Sequence, residues 1–418
     1  MYEFRYLLDR FWVTRADHKG LYFSVKRALP NYRRLVNEQL GWNLIVNESV
    51  IKLEKVPPKA MVWMGIQEFQ EKLDYCLLCG MLLFLSDLDD GEQFLLSSLT
   101  EALEAILAEV QPVDWTRFPH RKALVRVLQY AQRTGMLLAY DGVSEGFGND
   151  QTQEVLYENT GLSRHFPVHF GRDIMKCRSI EDFEAFSWEG EEAERGRQRI
   201  QRVYRQLTLA PALYWSEQNH SDYDYVKNQR SWLNRYLGEA LGGELQIHKN
   251  GAFFVLDEEN RFGLVHPRDA AIPDAALLLC AQLRDQITAG VYPRGEDDTV
   301  FLTRREFQHE LVQCRGQYGD GWGRRLRELP LEKLVQGVTA YMAGWSLLAE
   351  GVDGVALCPA AGKGAGTHAA RYTGGSGEGG GRRWERAGGM EGRRVGGTDE
   401  GREGRKENEA RWRERGGG

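Results

Sequence analysis

Cys76 and Cys79 form a C-x-x-C, a spacing that can hold zinc or run dithiol redox chemistry. Zinc would need a second Cys or His pair at ligand distance, and none follows. The surrounding LDYCLLCGMLLFL repeats its apolar residues at helical spacing, which reads both thiols into a packed helix. His165 and His169 stand four apart, as two ligands on one helical face would, but Pro167 between them disfavours that helix. Asp87, Asp89, Asp90 and Glu92 could gather around magnesium, yet a polar loop between two apolar helices predicts the same composition. Gly362-Lys363-Gly364 resembles the end of a phosphate loop, but that loop requires an earlier Gly and a following hydroxyl where this chain has Leu357 and Gly364. No catalytic constellation, metal site or cofactor is therefore expected.

One basic set has a geometry worth following. Arg117, Arg121, Lys122, Arg126 and Arg133 lie on or just before a helix expected from His120 to Thr134. Residues 122 and 126 share a face and 133 is two turns on from 126, so a stripe directed at DNA phosphates can form; an ordinary solvated helix face competes with it. The matching helix of the second half, Leu331 to Ala343, carries Lys333 as its one basic residue and suits protein contacts.

The elements that must position these residues follow from pattern. Asp17 precedes an apolar-periodic stretch from Leu21 to Leu40, in which Pro30 should kink or divide the helix and Gly41 ends it. Trp42 to Val46 and Val50 to Lys55 read as strands around Asn47-Glu48-Ser49. Helices are expected over Ile66 to Leu85, from Ser98-Thr100 to Val110, and after Pro119; Leu137 to Tyr140 and Glu154 to Tyr157 then read as strands around a polar loop. Three helices and a hairpin are the order of a winged helix, a helix-turn-helix variant.

The order recurs. At an offset of 201, Tyr22, Val25, Lys26, Arg34, Glu38, Leu40, Gly41 and Leu44 meet identical residues at Tyr223, Val226, Lys227, Arg235, Glu239, Leu241, Gly242 and Leu245. At 210, Leu124, Val125, Leu137, Leu138 and Ala139 match Leu334, Val335, Leu347, Leu348 and Ala349, with a hairpin expected over 346–358. The apolar helix of the first half has its counterpart at Pro273 to Thr288. Matching order favours internal duplication over chance likeness between amphipathic helices.

The expected fold class is thus α+β, mainly α: tandem winged-helix units in a duplicated arrangement with a disordered C-terminal tail. The boundaries are 1–60 for a helical and hairpin unit, 61–160 for the first winged-helix unit, 161–192 for a linker, 193–262 and 263–360 for the second copies, and 361–418 for the tail. In that tail 16 of the 46 residues from Thr373 to Gly418 are Gly, too little apolar content to offset the entropy of folding.

Composition sets outer limits. The chain has 418 residues and a formal charge of -6 from 54 basic and 60 acidic side chains, so any attraction to nucleic acid must be local. No signal-like h-region opens the sequence, and the most apolar stretch, Cys76 to Leu85, is too short to span a bilayer. Six scattered cysteines fit reduced thiols, and the location expected is cytoplasmic, with the nucleoid as a place of action.

Several stretches carry a family resemblance: GWNLIVNESVIKLEKVP, RVYRQLTLAPALYW, YVKNQRSWLNRYLGEALGGELQIHKNGAFFVLD and EGVDGVALCPAA with Arg371-Tyr372. Over residues 1 to 360 the chain resembles a bacterial family similar to the MukE-like, kleisin-interacting winged-helix subunit of type II Wadjet systems. The resemblance implies a non-catalytic subunit with a kleisin-like partner, an SMC-type ATPase and a Toprim-type nuclease, acting against plasmids, homodimeric and able to meet DNA, with no membrane role. A stand-alone winged-helix transcription regulator is the alternative, and a nuclease would need carboxylates that the sequence does not assemble.

Overall fold

The computed structural model describes residues 2–363 apart from 60, 62–63, 169–174, 176, 180–181, 183–191, 216–219, 261 and 269. His169, the tail beyond residue 363 and most of the expected linker therefore lie outside the described residues. Among the described residues the chain is mixed α/β and mainly helical, with four small antiparallel sheets.

One order of elements accounts for all four. The first module runs α1 (Tyr2–Asp9), β1 (Val13–Thr14), α2 (Lys19–Arg34) continued by a π-helical stretch at Leu35–Leu40, β2 (Asn43–Val46) and β3 (Val50–Glu54). The second runs α3 (Lys72–Ser86), β4 (Gln93–Leu95), α4 (Leu96–Leu107), α5 (Phe118–Arg133), β5 (Leu137–Asp141), the short α6 (Ser144–Phe147) and β6 (Leu156–Asn159). The third is α7 (Glu192–Leu209), β7 (Leu213–Tyr214), α8 (His220–Asn228), α9 (Arg230–Leu241), β8 (Gly243–His248) and β9 (Gly251–Leu256). The fourth is α10 (Ala271–Thr288), β10 (Val300–Thr303), α11 (Arg304–Tyr318), α12 (Arg324–Arg327), α13 (Leu331–Gly344), β11 (Leu348–Glu350) and β12 (Gly354–Leu357). In every sheet the last strand sits in the middle, between its hairpin partner and the short strand that follows the module's first helix.

Pro30 does not divide the first long helix. α2 passes through it, and the irregularity comes five residues later as the π-helical turn, whereas the copy without proline breaks at Gln229 between α8 and α9. A proline's lost donor and ring clash are felt in the turn preceding it, so a π bulge further on has another cause.

The modules share three hydrophobic cores, and the sheets decide how. Strand β3 is buried on both faces. Because side chains alternate along a strand, Ile51 and Leu53 enter a central core while Val50 faces the core of the second module. β9 does the same in the second half: Ala252 joins the central core and Phe253 the core of the fourth module. The first and third modules therefore form one interior, with the second and fourth each attached through a single strand wall.

Both attachments use the same device. The Trp12 indole donates to Thr134 O at 2.9 Å, just past α5, and the Tyr214 hydroxyl donates to Ser346 O at 2.7 Å, just past α13. α11 starts with a capping box between Thr303 and Glu306, and α5 ends in Gly135 with φ of 79°, the left-handed conformation that closes helices. Among the described residues no helix is long and apolar enough to cross a membrane.

Candidate nucleic-acid interface and its neighbours

The five basic candidates on and before α5 do not make one free stripe. Arg126 points at Asp74 on α3, with Nη2 to Oδ1 at 2.7 Å and Nε to Oδ2 at 3.2 Å, and the Asp74 side chain has no solvent exposure. Asp74 also accepts from Gln70 N and Glu71 N, so it fixes the start of α3 as well. The guanidinium of Arg121 is occupied by the carbonyls of Trp115 and Thr116, at 2.7 and 2.8 Å. Arg133 pairs with Glu68 at 2.7 Å on the surface. Hydrogen bonds from Thr116 lower the Asp114 carboxyl and Arg117, acting on it through space, helps to lower it; Lys122 lies over the Phe118 ring at 5.3 Å.

The helix beneath them is mostly inside. His120, Ala123, Leu124, Val125, Val127, Leu128, Tyr130 and Ala131 of α5 are buried. The spacing that places 122 and 126 on one face is correct; what helical spacing could not show is that Asp74, 52 residues away, meets that face.

The other sequence candidates resolve into local structure. Cys76 and Cys79 lie one turn apart on α3 as free thiols, but Cys76 is half-buried and Cys79 exposed, so the C-x-x-C sits at the edge of the packed face and not within it; desolvation still raises Cys79 away from the thiolate. The acids of the α3–β4 loop bond locally: Asp89 N donates to Glu92 Oε2 at 2.8 Å, and Asp90 pairs with Arg164 at 3.1 Å. The imidazole of His165 meets Asn47 Nδ2 at 2.9 Å. Among the described residues no group of three or more His, Cys, Asp or Glu could hold a metal ion.

Sequence reasoning passed over the charges that are buried. Lys52, 1% exposed, donates to the carbonyls of His165, Phe166 and Pro167 at 2.7, 2.9 and 2.9 Å and stands 3.6 Å from Glu54. Arg202 and Asp222 repeat the buried-carboxylate theme between α7 and α8.

Arg5 and Arg205, 200 residues apart, are more telling. Arg205 donates from Nε to Leu40 O at 2.5 Å and from Nη2 to Gly41 O at 2.9 Å, closing the end of the π-helical turn in the first module. Arg5 donates to Asn260 Oδ1 at 2.7 Å and lies where a side chain on Gly242 would have to go. Gly41 and Gly242 are the repeated glycines, both at positive φ. Each copy thus sends a buried arginine from its first helix to the helix end of the other copy, as α1 packs on α9 and α7 on the π-helical stretch. Burial alone pushes Arg205 down to about 10, still well above neutrality, so this arm stays charged. A repeat search could have found them: at an offset of 200, Phe4, Arg5 and Leu7 face Tyr204, Arg205 and Leu207.

A family model described as Protein of unknown function (DUF2398) matches residues 4–367 of the chain. No curated protein and no solved structure matches it.

Proposed function

The chain belongs to the DUF2398 family, and from that premise we propose that it is a cytoplasmic, non-catalytic, tandem winged-helix subunit that grips a kleisin-like partner of an SMC-type ATPase. The element order of each module, with three main helical stretches and its last strand central in the sheet, supports a winged-helix reading, as does its fourfold use. The complex in view is the MukE-like arm of a type II Wadjet system, with a Toprim-type nuclease as a further partner and plasmids as its target.

One observation weighs for a scaffold against a free regulator. A winged-helix regulator lays its third helix into the major groove. Here that helix is turned inward in module after module: α5 is mostly buried, the π-helical stretch lies under α7, and α9 lies under α1. α13 buries Leu334, Val338, Thr339 and Met342 and offers a single lysine outward. Arg117 and Lys122 remain the residues for an auxiliary DNA contact. The homodimer that the resemblance implies is part of this proposal.

The test is co-expression of the chain with the kleisin-like, ATPase and nuclease subunits, followed by affinity capture at moderate salt. Stoichiometric recovery of the kleisin-like subunit is expected, and its mass gives the copy number. Recovery of the chain alone, together with tight binding to one specific duplex sequence, would establish the regulator instead.

A further inference from the structure

Cations from four separate stretches of chain meet in a cleft of about 410 Å³ between the tip of the β8–β9 hairpin and the fourth module. Lys249 and His248 come from the hairpin turn, Arg284 from α10, Arg294 from the loop after it, and Lys363 from the end of the described chain. The lining carboxylate, Asp298, is already engaged by the Asn250 amide. Arg284 touches Asp285 at 3.5 Å in a largely exposed pair, a weak interaction in water, while Lys249 and Lys363 donate to the neutral oxygens of Glu296 O and Gln246 Oε1. Burial lowers both His248 and Lys363; the charge of Lys363 lowers His248 further, while Glu244 acts on Lys363 and Lys249 on Asp297, so the cations outnumber the carboxylates around the cleft without being free of them.

The first half of the chain shows what this junction looks like when it is closed. There the wall strand carries Lys52, whose ammonium is sealed under three carbonyls of residues 165–167. At the matching offset of 201 the second half has Phe253, whose ring faces the cleft. The two copies therefore differ at this wall position: Lys52 is sealed under backbone carbonyls, whereas Phe253 lies beneath the Lys363 ammonium at 5.4 Å, at the base of a cationic cleft. A pocket of this volume is within the range for small ligands, and a cationic rim over an aromatic floor suits a phosphate joined to a flat apolar body.

We propose that this cleft binds a phosphorylated small molecule of mononucleotide size, with Arg284, Arg294 and Lys249 on its phosphate and its body taking the place of the exposed Lys363 side chain over Phe253. The site is independent of the partner grip, so either can fail without the other.

The full chain is titrated with AMP, ATP and inorganic phosphate by calorimetry and thermal shift, beside an Arg284→Glu/Arg294→Glu double variant and a Lys19→Glu control at the exposed start of α2. A nucleotide should bind the wild type and the control alike, and the double variant should bind roughly tenfold or more weakly, the scale of losing a charge-assisted pair. Should the double variant melt early without ligand, Lys249→Glu at the exposed hairpin turn takes its place. The proposal is overturned by no binding of any of the three at millimolar concentration, by undiminished binding in the variants, or by binding of duplex DNA alone through the same arginines.

Discussion

At the scale of single residues, buried charge governs more of this protein than exposed charge does. Arg126 looked like a phosphate contact and is instead the partner of Asp74, a carboxylate with no exposure that also organises the first turn of α3. Removing one member of a buried pair strands the other, which typically costs about 3 kcal/mol, somewhat less where a member reaches water as Arg126 does. Arg126→Ala should therefore lower stability by about 2–3 kcal/mol in urea denaturation, while Lys122→Ala changes it by less than about 0.5 kcal/mol. Equal small effects from both would mean that the pair carries no stability. The charge-reversal test of DNA contact consequently belongs on Arg117 and Lys122, since reversing Arg126 would unsettle α3 along with any DNA contact.

At the scale of elements, local pattern carried far and then stopped for a definite reason. The β2–β3 hairpin, α5, α13 and the matching hairpins were legible because periodicity and turn residues act over a few positions. The strands β1, β4, β7 and β10 were not, being two to four residues long and defined by distant partners, as Val13 is by Ile51. The Asp74–Arg126 bridge and the reciprocal arginines escaped notice on the same ground, since nothing near either residue in sequence announces the other. Comparison of the copies also yields a prediction. The structure aligns these helix ends and strands at an offset of 211, one more than the 210 of the identical residues, because Leu137 and Leu348 start equivalent strands. Gly135 closes α5 at φ 79°, and the same position after α13 is Ser346 at φ 55°. A side chain in the left-handed region costs about 1–2 kcal/mol, so Ser346→Gly should raise the midpoint of unfolding, offset in part by the freedom glycine gains when unfolded, and Gly135→Ala should lower it. A destabilised Ser346→Gly would show that the serine repays its backbone conformation through contacts that glycine loses.

At the scale of the whole molecule, the central core joins residues from both halves: Leu35, Val36 and Leu40 with Val203, Tyr204 and Leu207. Cleavage between residues 168 and 192 should therefore leave the two pieces bound to each other through gel filtration without denaturant. Arg205→Ala, which strips the Leu40 and Gly41 carbonyls of their donors, should loosen that association measurably by dilution or mild urea. Separation of the intact pieces on simple cleavage would mean that the shared core is too small to hold them.

The reciprocal arginines have one more consequence. Two identical subunits around an axis must present identical faces, so whatever binds one face can bind the other, and nothing in the pair distinguishes left from right. Here the two faces are encoded separately, and they have already drifted apart, with Lys52 on one side and Phe253 on the other. Such a body has a built-in polarity: its two halves are chemically distinguishable at equivalent positions, so the same substitution made in each half need not have the same effect.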